Sequence, residues 1–201
     1  MQNPDLLFNT AQACDRLTEL ETLCLKTAIS YFSNRKSSDL LFVNICPESL
    51  IQYSEIIDRV LGFISDYDLT PTNLVLEISE RFRIENVVHL KQTLTKFKAA
   101  GFSIAIDDLG SGYSGLKLWS ELNPDYIKID RHFIDRIDQD TVKQAFVNSV
   151  VQLCSQLQCE VIAEGIETEA ELATLRSMGI YLGQGYLLGK PQRAPEIYLP
   201  E

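Results

Sequence analysis

Short apolar runs alternate with amphipathic stretches along most of this 201-residue chain, and that alternation limits the folds open to it. Apolar positions recur at helical spacing from Pro4 to Phe32, and Leu40 to Ile45 then reads as a buried strand. Leu50 to Ile64 is amphipathic again. Further strands are expected at Leu74 to Ile78, Phe102 to Ile106, Tyr126 to Ile129, Glu160 to Ala163 and Ile180 to Leu182. Helical patterns separate them at Val87 to Ala99, Leu116 to Leu122 and Phe133 to Leu157. A last helix opens on a capping box, Thr168-Glu169-Ala170-Glu171, and runs through Arg176. Gly101 and Gly179 are helix stops, and the tail from Lys190 is interrupted by proline. Strands separated by helices imply parallel βαβ units.

Six strands in this order suit either an open doubly wound sheet or most of a (β/α)8 barrel. No G-x-G-x-x-G follows the first strand, which argues against a dinucleotide-binding sheet. Polar residues also recur at the C-terminal end of each strand: Asn44, Glu77, Asp107 with Asp108, Lys128, Glu164 and Gln184. In a barrel those ends converge on one mouth, the face that carries the active site. Side chains alternate along a strand, so Glu77 shares a face with Val75, Asp107 with Ala105, and Glu164 with Ile162.

Composition narrows the partners. With 18 Lys and Arg against 28 Asp and Glu the net charge is −10, so the basic footprint of a duplex-binding domain is missing. An acidic chain still binds a phosphorylated ligand when a metal ion stands between the negative charges. Five cysteines, an odd number without zinc-site spacing, read as reduced, mostly buried thiols of a cytoplasmic protein. No apolar run approaches the roughly 18 residues of a membrane span, and no signal-peptide pattern opens the sequence.

Carboxylates gathered at one mouth repel one another unless protons or cations neutralise them. Asn, Glu and Asp oxygens suit hard divalent ions. Two such ions are a standard device for in-line displacement at phosphorus, and Lys128 is placed to serve the hydroxide or the developing charge. Taken singly, each residue has an ordinary explanation. Asp-Asp before a glycine-rich loop is a turn or a helix cap, a strand-end Lys is a solvated rim residue, and Gln184 between two glycines is a turn residue. Their repetition at successive strand ends favours the site. His89 and His132 read as surface residues.

Asp107 to Leu116, DDLGSGYSGL, closely resembles the D-D-F-G-T-G-Y-S-S-L signature of EAL domains, the bacterial cyclic di-GMP phosphodiesterases. The surrounding segments FVNI, LEISE, IKID, AEGIET and QGYLLGKP agree in order and spacing. The resemblance runs from about Pro4 to Pro191 and implies a TIM-barrel-like EAL fold with about six of its strands present. It implies that Asn44, Glu77, Asp107, Asp108 and Glu164 bind two Mg²⁺ or Mn²⁺ ions. Lys128, Glu164 and Gln184 would be catalytic, and Glu80, Gly110, Gly112 and Glu167 would support the loops. The implied reaction opens cyclic di-GMP to linear pGpG in second-messenger signalling.

Two departures from the family stand out. The Glu-Ala-Leu tripeptide and its nearby Arg have no counterpart, so residues 1–201 read as a single EAL-like domain truncated at its N-terminus. Leu109, Ser111 and Gly115 replace the commoner Phe, Thr and Ser. The alternative is a catalytically inactive domain that senses cyclic di-GMP or binds a protein. A barrel with a gap also exposes strand edges, so the chain is expected to be less stable than a complete domain or to cover the gap with a partner. A homodimer and an upstream sensory or GGDEF-type domain are the partners the resemblance suggests, with no duplex nucleic acid and no membrane segment.

Overall fold

The computed structural model describes residues 4–33, 39–52, 56–67, 69–80, 84, 86–111 and 115–192. The chain divides into two compact units, one of residues 1–78 and 84–104, the other of residues 79–83 and 105–201.

The first unit opens with helices α1 (Pro4–Ala13) and α2 (Leu17–Phe32). Strand β1 (Leu41–Asn44), α3 (Pro47–Gln52) and α4 (Ile56–Ser65) follow, and then β2 (Leu74–Ser79) and α5 (Val87–Ala99). β1 and β2 pair in parallel, with Asn44 in register with Glu77. All six residues of β2 are buried, as expected of a parallel strand covered on both faces. On α4, Ile56, Val60 and Ile64 repeat every fourth residue and form its buried stripe. They join Ile29, Leu50, Leu90 and Phe97 in the core. A 3₁₀ turn at Pro71–Asn73 delivers the chain into β2, and the Asn73 side chain closes it by accepting the Thr70 N–H at 3.0 Å.

The second unit carries most of β3 (Ser103–Leu109), then α6 (Gly115–Leu122) and β4 (Tyr126–Ile129). α7 (Arg131–Ile134), α8 (Thr141–Leu157), β5 (Glu160–Glu164), α9 (Glu169–Ser177) and β6 (Leu182–Gln184) complete it. From β3 to β6 the strands lie side by side in chain order, and every pair is parallel. Ile106, Ile127, Ile129, Val147 and Ala163 are fully buried between sheet and helices.

Several expected boundaries move. The stretch from Pro4 to Phe32 is two helices, because Asp15 takes a left-handed φ of 56° and Arg16 N–H turns back to Ala11 O at 2.7 Å. The stretch from Leu50 to Ile64 likewise divides into α3 and α4. The long helix expected from Phe133 to Leu157 is broken as well. Arg136 is left-handed at φ 54°, a 3₁₀ turn spans Ile137–Gln139, and Asp140 starts α8 by accepting the Val142 and Lys143 N–H groups at 2.9 and 3.1 Å. β3 runs on through both aspartates to Leu109. β6 begins at Leu182, because the preceding residues belong to the helix stop: Gly179 is left-handed and Ile180 N–H bonds Leu175 O at 3.1 Å. All five cysteines are free, but Cys14 and Cys24 are exposed and only Cys46, Cys154 and Cys159 are buried. His89 and His132 lie at the surface as expected. Among the described residues no helix is long and apolar enough to cross a membrane.

Candidate functional site

The second unit brings five of the expected residues together. Lys128, near the end of β4, places its Nζ 2.8 Å from Asp107 Oδ1 and 2.7 Å from Glu164 Oε1. Gln184 ends β6 in register with Glu164 at the end of β5, so both side chains leave the sheet on one face. Gln184 Nε2 donates to Glu164 Oε1 at 2.5 Å. Asp107, Lys128 and Glu164 are all at least nine-tenths buried.

Adjacent residues of a regular strand point to opposite faces, so Asp107 and Asp108 ought to diverge. The pairing of β3 with β4 shifts between Ile106 and Leu109, and Asp108 is left-handed at φ 59°. This irregularity turns both carboxylates toward one place. Asp107, Asp108 and Glu164 each offer an oxygen, and the three oxygens lie within 4.8 Å of one another. Ser79 Oγ donates to Asp108 Oδ2 at 3.2 Å and steadies it.

Burial is the main force on Glu164 and pushes its carboxyl up. Lys128 pulls it down, and the charges of Asp107 and Asp108 raise it again, leaving it at about 7. Lys128 pairs with two of the three clustered carboxylates, and a divalent cation would relieve the repulsion among them. Oxygen-only donors in a partly buried cluster fit Mg²⁺ or Mn²⁺ chemistry.

The loops are anchored from beneath. Glu80 Oε1 accepts the Gly110 N–H at 2.9 Å. Gly110 is left-handed at φ 100°, and a Cβ there would meet Phe133 Cε2 at 2.2 Å, so glycine is required. Gly112 lies outside the described residues. Glu167 pairs with Arg131 at 2.8 Å. An open cleft of about 640 Å³ borders this side of the site, with Arg131, Glu167, Gln184, Tyr186 and Lys190 on its walls.

In the first unit, Asn44 is exposed at the end of β1 and Glu77 is buried two residues before the end of β2. Asn44 lines a small cavity of about 20 Å³ together with Glu21 and Arg59. Glu21 was not singled out by sequence. It accepts the Cys46 N–H at 2.7 Å and the Ser49 hydroxyl, and so ties α2 to the turn that follows Asn44. Burial pushes its carboxyl up. Its one signal in the sequence is an acid interrupting the apolar stripe of α2. Ser79 and Arg131 were also missed, since a Ser or Arg beside a motif carries no signal of its own.

The family model of the EAL domain matches residues 1–191. This chain belongs to the EAL domain family. Among relatives, it is 34% identical over 150 residues to the probable cyclic di-GMP phosphodiesterase PdeA of Escherichia coli, covering 75% of this chain and 20% of that protein. It is 30% identical to the blue light- and temperature-regulated antirepressor BluF of the same organism, covering 91% of this chain and 47% of BluF. The chain thus spans less than half the length of either relative. A solved complex of Klebsiella pneumoniae BlrP1 with manganese and cy-diGMP superposes with a TM-score of 0.82 at 32% identity, over 94% of this chain and 48% of that one. The fold is the α/β, TIM-barrel-like fold of EAL domains.

Proposed function

We propose that this EAL domain is a metal-dependent phosphodiesterase that hydrolyses one phosphodiester bond of cyclic di-GMP and releases linear pGpG. The observation that carries the reading is the partly buried cluster of Asp107, Asp108 and Glu164 against Lys128. Asn44, Glu77, Asp107, Asp108 and Glu164 would hold two Mg²⁺ or Mn²⁺ ions, which supply an acidified water and charge stabilisation at phosphorus. Lys128 offers its ammonium to negative charge developing on the phosphoryl oxygens. Gln184 donates to Glu164 and so fixes the rotamer of that ligand. Glu80, Gly110, Gly112 and Glu167 hold the loops that carry these groups. The cleft walled by Arg131, Tyr186 and Lys190 gives a phosphorylated purine ligand cationic and aromatic partners. A cytoplasmic setting agrees with five unpaired thiols.

The likeness to BluF, an antirepressor by name, favours a second reading in which the domain binds cyclic di-GMP or a protein without hydrolysis. Incubating the purified chain with cyclic di-GMP and Mn²⁺, and following both binding and pGpG, separates the two. Product that disappears in Asp107→Asn while the fold is kept supports the enzyme. Binding without product selects the second reading, and neither binding nor product refutes both as readings of this chain.

A further inference from the structure

Seven residues after Glu164 stands a second buried carboxylate, Glu171, only 3% exposed. It occupies the third position of α9 and closes the capping box with Thr168. A capping box needs one reciprocal bond, yet Glu171 makes more. Its Oε2 accepts the N–H groups of Glu167 and Thr168, both at 2.9 Å. Its Oε1 accepts the N–H of Arg136 at 2.9 Å, from a residue 35 positions earlier in the left-handed turn between α7 and α8.

Those bonds hold one face of the segment that leaves β5. The segment that leaves β6 grips it as well. Ile166 N–H bonds Gln184 O at 3.1 Å and Leu187 N–H bonds Ile166 O at 3.1 Å. A Cβ on Gly185 would lie 2.1 Å from Ile166 O. Above, the Arg131 side chain covers Gly165 so closely that a Cβ there would meet its Cγ at 2.4 Å, and its guanidinium pairs with Glu167. Residues 165–168 are thus locked to the ends of β4 and β6, the strands that carry Lys128 and Gln184. Among the described residues, Glu171 bonds both to this segment and to the α7 turn.

We infer that Glu171 is a positioning residue, which sets Glu164 against Lys128 and Gln184 by fixing the backbone that follows β5. The inference rests on the metal-site reading above for its functional consequence, and on geometry alone for the coupling. Removing the carboxylate strands three N–H donors, so the two segments loosen together. Thr168→Ala is the matched control. It deletes the hydroxyl that accepts the Glu171 N–H at 3.2 Å, and so weakens the same helix start, but keeps the backbone donors and the bridge to Arg136.

The test compares wild type, Glu171→Ala, Glu171→Gln and Thr168→Ala by hydrogen exchange and by titration with Mn²⁺ alone. The expected result is joint loss of protection over residues 131–137 and 164–168 in both Glu171 variants, and over the start of α9 only in Thr168→Ala. Mn²⁺ binding weakens about tenfold in Glu171→Ala relative to Thr168→Ala, the scale typical of residues that orient metal ligands. Glu171→Gln, which keeps one acceptor oxygen, falls between them, and it carries the test if the alanine variant does not fold. Protection lost at α9 alone, or Mn²⁺ affinity equal to that of Thr168→Ala, overturns the inference. A wild-type chain that takes up no Mn²⁺ refutes the metal reading instead, and the exchange comparison then decides the role of Glu171.

Discussion

Glu164→Gln tests the electrostatics of the site most directly. Glu164 titrates at about 7 in the folded chain against an ordinary 4.5, so the fold holds its proton over a range where the unfolded chain has released it. Below the lower value both states are protonated and nothing is lost. As pH rises from the lower value toward the upper, the unfolded chain releases its proton while the folded chain keeps it, and stability falls. The gap between 4.5 and about 7 corresponds to about 3 kcal/mol in all, nearly all of it lost between about pH 4 and about pH 8. Urea unfolding of wild type and Glu164→Gln in EDTA across that range reads Glu164 together with its coupling to Asp107, Asp108 and Lys128, while distant titrations subtract. Wild type should lose about 3 kcal/mol relative to the variant as pH rises. Repeating the series with Mn²⁺ should flatten it, because a bound cation favours the ionised cluster. Parallel curves in EDTA would refute the reasoning, since Glu164 would then be an ordinary carboxylate despite its burial.

Gly185→Ala should cost about 3 kcal/mol and shift the thermal melt accordingly, because its Cβ would meet the backbone O and N of Ile166 at 2.1 and 2.2 Å, atoms that cannot rotate away. Gly110→Ala combines a left-handed φ of 100° with the Phe133 ring, and a loss of about 2 kcal/mol by chemical denaturation is expected. Asp140→Ala removes the cap of α8 and should cost about 1 kcal/mol by the same assay, with Mn²⁺ binding unchanged.

The fold was legible wherever one local signal sufficed. Val87–Ala99 begins and ends where its apolar period and Gly101 place it, and Tyr126–Ile129 coincides with its apolar run. The capping box opens α9 as read. Failures came where a polar side chain or a left-handed non-glycine residue reset the chain. Asp140 as a cap and Arg136 at φ 54° split the long helix, and neither interrupts the helical spacing from Phe133 to Leu157. Most of the site was legible from the strand-end pattern. The irregularity at Asp107-Asp108 was not, because alternation alone sends neighbouring side chains to opposite faces.

The segment AEGIETEAE shows what a motif leaves undecided. Glu164 and Glu171 are both glutamates, both buried, and seven residues apart. Burial is the largest force on each and pushes both carboxyls up. At Glu171 the backbone N–H groups of Arg136, Glu167 and Thr168 outweigh it and hold the group below the usual range. Such an acid stays ionised and serves as a fixed anchor. At Glu164 the neighbours are Asp107 and Asp108, and a single lysine does not offset them, so the carboxyl stays near 7. An acid kept in that condition costs stability, and a cation or a proton relieves it, which is the behaviour expected of a working group rather than a structural one. What separates the two is the source of the donors, backbone amides at the start of a helix against the side chains of neighbouring strands. That source is set by the chain's path through space and not by the residue type.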